Sequence, residues 1–243
     1  MGIVHTKNLT KQFDAVKAVS NVSIGFVKGQ VTGIVGPNGS GKTTLVNLLT
    51  GMVPITSGIV VISDIKLGQI KPYQIATYGV TRTFQQVRVF EQMTVLDNIL
   101  VVLTERDIFS SLFEQHTELH LAQAKQILQR VDLWKKKDEQ AENLSYGQRK
   151  LLEIARALSM QSEIVLFDEP FAGLFPKMRE IVSDAIHQLR DTGKTVLLIE
   201  HEMETITELC DHLIVLDAGE LLAQGKPTKV LQMQKVKEAY LGL

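Results

Sequence analysis

The run Gly36-Pro37-Asn38-Gly39-Ser40-Gly41-Lys42-Thr43 fits the pattern G-x-x-x-x-G-K-[ST] at every position. Its glycines let the backbone curl so that successive N–H groups face a phosphate, and a helix starting there adds its positive end. Lys42 is placed to reach the β and γ phosphates of a nucleotide, the Thr43 hydroxyl to ligate Mg²⁺, and Thr44 to bond the α phosphate. Such a loop needs a carboxylate on a neighbouring strand, because the metal neutralises charge on the β and γ phosphates. Asp168, closing the apolar run Ile164-Val165-Leu166-Phe167, is placed to supply it. Glu169 follows at once. On an extended backbone it faces the other side, yet just past the strand end it can swing toward the γ phosphate and polarise an attacking water. Pro170 behind it stops the strand.

Glu200-His201 ends a second apolar run, "TVLLIEH". His201 either caps the next helix or sits beside the γ phosphate, where its ring orients Glu169 and water and senses whether that phosphate is present. In "RTFQQ" a neutral amide is available for Mg²⁺ or water, and spacing does not distinguish Gln85 from Gln86. Ser145-Tyr146-Gly147-Gln148 has the serine-to-glutamine spacing of a capping box, followed by Leu151, Ile154, Ala155 and Leu158 on one helix face. A serine hydroxyl, a glycine N–H and a helix N-terminus there suit an anion. The glycine loop already wraps the α and β phosphates, so this tip reads as closing the γ side of a nucleotide held by another subunit. Two chains set head to tail with C2 symmetry make two such sites. His116 and His120 do not match His-Glu-x-x-His and have no evident third ligand; they read as a solvated helix face.

These residues need a frame of alternating strands and helices. Val31 to Val35 reads as a buried strand, followed by a helix from about Gly41 to Gly51 and a strand over 53–63 entered through Pro54 and Gly58. From about Thr94 to Lys137 the pattern is helical, with Leu119, Ala122, Ile127, Leu128 and Val131 as its apolar residues. Strands at 163–169, 195–201 and from His212 alternate with helices at 179–190 and 202–210, and a last helix runs from Pro227 to Tyr240. Near-continuous apolar strands predict an α/β domain with a largely parallel sheet covered on both faces. The whole of 1–243 is expected to be one domain, its core formed by 1–90 and 160–243 and a helical subdomain by about 91–159.

Composition narrows the function classes. Hydrophobic residues at 44% and charged residues at 22% exclude wholesale disorder, and 26 basic against 27 acidic side chains give no broad nucleic-acid surface. The single cysteine, Cys210, excludes an intrachain disulfide framework and fits a reducing compartment. No run approaches the roughly 18 apolar residues of a membrane span, and no basic-then-apolar signal is evident. Met1-Gly2 with Thr6 formally fits an acylation pattern, but Ile3, Val4 and Leu9 look like the start of a strand. The chain is expected to be cytosolic and to work at a membrane only through a partner.

Taken together, "GPNGSGKTT", "TFQQ", "LSYGQ", "IVLFDEP" and "IEH", in this order, closely resemble the ATP-binding subunit of ABC transporters over essentially the whole chain. The resemblance implies a P-loop NTPase fold of the ABC type, with a mostly parallel core sheet, an N-terminal antiparallel β portion and a helical subdomain. It implies Mg²⁺-dependent ATP hydrolysis with ATP and Mg²⁺ bound. It further implies that Phe13 stacks on adenine, selects Gln85 over Gln86, and puts Ser145, Gly147 and Gln148 at the partner's nucleotide. Implied partners are a second ABC ATPase, identical or paralogous, an integral-membrane permease and, through it, a substrate-binding protein outside the membrane. The place of work is then the cytoplasmic side of the inner membrane.

"RTFQQVRVFEQMTVLDNI", Tyr146, "LLEIARAL", "EPFAGL" and "AYLGL" look like the ATPases of branched-chain amino-acid importers. The permease would rest a helix beside Gln85, with Phe84, Val87, Val89 and Phe90 as apolar contacts. Phe175 in "AGLFP" departs from the family's Asp or Asn, which bears on coupling between the two sites, and Lys150 is expected to be solvated. The alternatives are a non-transport ABC ATPase of repair, translation or assembly, and a lipopolysaccharide-type export ATPase. A small-molecule kinase would leave "LSYGQ" and His201 unexplained.

Overall fold

Three apolar runs form the centre of the fold. In the computed structural model, which describes residues 2–104 and 118–241, β4 (Val31–Val35), β8 (Ile164–Asp168) and β9 (Thr195–Ile199) are buried at every residue. Runs of this kind suit a sheet covered on both faces. With β7 (Val80–Arg82), β10 (His212–Asp217) and β11 (Glu220–Gly225) they make a six-stranded sheet in the order β11-β10-β4-β9-β8-β7. All neighbours in it are parallel except β10 and β11. Its register sets Asp168 beside Ile199 and Ile34 beside Ile199, so the glycine loop, the acidic pair and His201 all leave the same sheet edge.

A second, antiparallel sheet has the order β2-β1-β5-β6, with β3 also on β1. It is built from β1 (Gly2–Phe13), β2 (Val16–Val22), β3 (Gly25–Val27), β5 (Ser57–Ile62) and β6 (Ile65–Leu67). Helix α1 (Lys42–Leu49) contributes Leu45, Val46, Leu48 and Leu49 to a core shared with Val4, Phe26 and Val60 of this sheet and Ile34, Leu166 and Ile199 of the other.

The chain divides into two compact units. The first is Met1–Arg82, Ser162–Glu169 and Ile186–Leu243; the second is Thr83–Gln161 and Pro170–Ala185. The second unit is helical, with α2 (Val95–Leu103), α3 (Glu118–Arg130), α4 (Tyr146–Ser159) and the first part of α5 (Pro176–Asp191). Thr94 caps α2, its Oγ1 accepting from the Asp97 N–H at 3.0 Å. Along α3 the buried residues are Ala124 and Leu128, with Val131 just beyond, whereas Leu119 and Ala122 are exposed. At 3.6 residues per turn, positions two and five before Ala124 fall on the far side of the helix, so the expected apolar face held only in its second half.

Helix α6 (Met203–Leu209) follows β9. The expected last helix is two, α7 (Pro227–Val230) and α8 (Gln234–Leu241). Val230 and Val236 are both buried. Six residues apart, they would point about 120° from one another on a continuous helix, and the break turns both inward. No helix among the described residues is long and apolar enough to cross a membrane.

Candidate functional site

In the first unit, the loop from Gly36 to Gly41 joins β4 to α1. Gly36 (φ 155°) and Gly41 (φ 98°) have left-handed backbones, and a Cβ would strike the Leu216 carbonyl at the first and the Ala18 carbonyl at the second. Only glycine fits either place. No side chain caps α1, so its leading N–H groups are open to an anion. Ser40 is buried and its Oγ has no hydrogen-bond partner among the described residues, while Asn38, Gly39 and Thr43 are exposed and Pro37 and Thr44 half-buried. Lys42 is buried and donates from Nζ to the carbonyls of Gly36 (2.8 Å) and Pro37 (2.9 Å). Burial lowers its pKa, an effect the Glu169 carboxylate opposes. These carbonyls keep the ammonium over the loop, where a phosphate would be a stronger, charged acceptor.

Asp168 ends β8 and is buried. Its Oδ2 accepts from Arg82 Nη2 at 2.7 Å, and Arg82 Nη1 donates to Asn47 Oδ1 (2.7 Å) and Thr50 Oγ1 (3.1 Å) on the end of α1. Sequence reading passed over Arg82, although it sits in the quoted "RTFQQ". Glu169 leaves the strand with a left-handed backbone, φ 50°, while its N–H still bonds the Ile199 carbonyl at 3.1 Å. That turn breaks the strand's alternation, so Asp168 and Glu169 need not face opposite sides. Glu169 Oε1 lies 2.8 Å from His201 Nε2, with both side chains partly open to solvent. Phe13 ends β1, half-exposed, with the Lys11 ammonium 4.7 Å over its ring. Cys210 is buried and its thiol is pushed up to about 12, chiefly by burial, so it is an inert packing group.

The Thr43 hydroxyl and the Asp168 carboxylate, both of the first unit, are oxygen donors with a single charge between them. That set suits Mg²⁺ shared with phosphates better than a soft metal. Among the described residues no group of three or more His, Cys, Asp or Glu is gathered to hold a metal by itself. His116 lies outside the described residues; His120 lies inside α3.

In the second unit, Ser145 and Gln148 form the capping box in full. The Ser145 N–H donates to Gln148 Oε1 (3.0 Å) and the Gln148 N–H to Ser145 Oγ (3.3 Å). A Cβ on Gly147 would lie 2.6 Å from Met178 Sδ on α5, so a larger residue there would have to push that flexible side chain aside. Tyr146 is half-exposed, with its ring edge against Gly173, and Phe175 is 75% exposed. Gln85 and Gln86 are both exposed; Phe84, Val87 and Val89 are half-buried, and Phe90 is exposed.

Lys150 overturns its expectation. It is fully buried, because its Nζ donates to the Phe84 carbonyl at 3.2 Å and lies 3.9 Å from Glu153 Oε2. Glu153, which periodicity gave no reason to single out, is also buried, and its Oε1 accepts from the N–H groups of Phe84 (3.3 Å) and Arg88 (3.2 Å). Burial pushes the Glu153 carboxyl up, opposed by Lys150, by the two N–H groups and by Arg156. Arg156 Nη1 donates to the Arg88 carbonyl at 2.6 Å.

Residues 19–172 match the ABC transporter family. The chain is 37% identical over 248 residues to a probable branched-chain amino acid transport ATP-binding protein, LivG, of Archaeoglobus fulgidus, covering all of this chain and 96% of that one. It is similar to a solved ATP-binding cassette of an ABC transporter in its ADP conformation, with TM-score 0.85 and 36% identity over the full length of both. A second solved cassette, a dimer in a post-hydrolysis state bound to ADP and Pi, superposes with TM-score 0.80 at 26% identity, covering 92% of this chain and 98% of that one.

Proposed function

Because the chain belongs to the ABC transporter family as an ATP-hydrolysing, ATP-binding subunit, we propose that it drives the uptake of branched-chain amino acids, or similar small polar solutes, through a membrane permease. The observation that carries the chemistry is the Glu169–His201 pair, 2.8 Å apart, at the sheet edge that also launches the Lys42 loop. Glu169 draws a proton from a water as that water attacks the γ phosphorus and the bond to the β–γ bridging oxygen breaks, so that ADP leaves with that oxygen, and His201 orients both the carboxylate and the phosphate. Lys42 and the backbone N–H groups of residues 38–44 hold the phosphates, and Phe13 stacks on the base. Thr43, Asp168 and Gln85 hold Mg²⁺, which when bound neutralises charge on the β and γ phosphates.

Ser145, Gly147 and Gln148 close the γ side of a nucleotide on a second cassette, identical or paralogous. The dimeric relative bound to ADP and Pi supports that arrangement. The permease docks beside Gln85, which places the subunit at the cytoplasmic side of the membrane, and a substrate-binding protein outside completes the system. The solute is carried over from the named relative. Membranes co-expressing this chain with the permeases encoded beside it are the test. Radiolabelled leucine uptake that depends on this chain, and permeases that co-purify with it in detergent, are expected. Co-purification with lipid-export components, or with none, would overturn the transport assignment.

A further inference from the structure

Loop 84–88 is neither helix nor strand, yet its two ends are tied down. Three side chains of α4, three residues apart and so on one side of the helix, do this. The Phe84 N–H goes to Glu153 and its carbonyl to Lys150; the Arg88 N–H goes to Glu153 and its carbonyl to Arg156. The Arg88 guanidinium also lies 3.8 Å over the Phe84 ring, which draws the two ends together. Gln85 lies between them. Backbone groups in a half-buried irregular segment need partners, and here charged side chains replace a ladder.

Stability does not explain the choice of charges. A buried ion pair gains little over apolar side chains of the same volume, because desolvation consumes most of the attraction. The charges do what leucine and methionine cannot: they fix two peptide units on either side of the glutamine. We propose that Lys150, Glu153 and Arg156 form a clamp that sets the conformation of the loop carrying Gln85, making Lys150 and Glu153 positioning residues for ATP hydrolysis. The proposal rests on the reading that Gln85 takes part in hydrolysis. It also ties the helix begun by Ser145 to the same loop, so a movement of one is felt by the other.

Four variants, Lys150→Met/Glu153→Leu, Glu153→Gln, Gln85→Ala and the triple combination, test this by hydrogen exchange, thermal melting and steady-state ATPase kinetics. The paired apolar variant removes one charge of each sign together, so its melting temperature is expected to fall only by the cost of the freed Phe84 and Arg88 backbone groups and of the carboxylate lost beside Arg156. Its amides at Phe84 and Arg88 are expected to lose exchange protection. Its kcat is expected to fall by up to about a hundredfold, with a smaller change in KM for ATP, as for a misplaced catalytic group. Adding Gln85→Ala should lower kcat no further. Glu153→Gln keeps a carbonyl acceptor for both N–H groups and should retain most activity. Unchanged exchange at Phe84 and Arg88, or losses that multiply with Gln85→Ala, would overturn the clamp. If Gln85→Ala alone turns over like the native chain, the role of Gln85 falls, while the exchange result still decides whether the clamp exists.

Discussion

The two units hold their candidate functional residues by different means. In the first, backbone does the positioning. The β4–α1 loop, the Asp168–Glu169 end of β8 and the end of β9 are set by parallel ladders, by two glycines that admit no Cβ and by a left-handed turn at Glu169. In the second, side chains do it. A capping box fixes the tip of α4, and three buried or half-buried charges hold the loop around Gln85. A site built on ladders keeps its shape unless the sheet fails. A site built on side-chain bonds can be loosened by one substitution without unfolding the chain.

The sharpest break in this contrast comes from Lys42→Ala. It leaves the loop's backbone in place and removes its only ammonium, so ATP binding measured by calorimetry should be lost while the melting temperature stays within a few degrees. Ordinary ATP affinity in that variant would mean that backbone amides alone hold the phosphates.

Ser145→Ala probes the other unit with a smaller effect. Loss of the cap should cost about 1 kcal/mol in denaturant unfolding. Single-chain ATP binding should stay intact, and closure of two cassettes on ATP should be impaired in sedimentation. If closure is untouched, the tip of α4 has no part in the second nucleotide.

The same contrast explains what could be read from the chain. The buried strands at 31–35, 164–168 and 195–199, the glycine loop between a strand and a helix, Asp168 at its strand end and the capping box follow from local rules of spacing and burial, and each is found where those rules put it. Asp168 and Glu169 are neighbours on one strand, and only the observed φ of 50° frees them from its alternation. Periodicity failed where a polar residue is buried to bond distant backbone. Lys150 looked solvated on its helix, and Glu153 and Arg82 drew no notice, because their partners lie 66, 69 and 86 residues away in sequence. Helix α3 failed for the plainer reason that its first turns carry leucines on an exposed face.

The central claim is that the carboxylate at the end of β8 activates the water that cleaves ATP. Glu169→Gln keeps the size of the side chain and a hydrogen bond to His201 but cannot take up that proton. Purified Glu169→Gln, mixed with Mg²⁺ and γ-labelled ATP, should retain uncleaved ATP and release phosphate at least about a hundredfold more slowly than the native chain. Phosphate release at the native rate would contradict the claim.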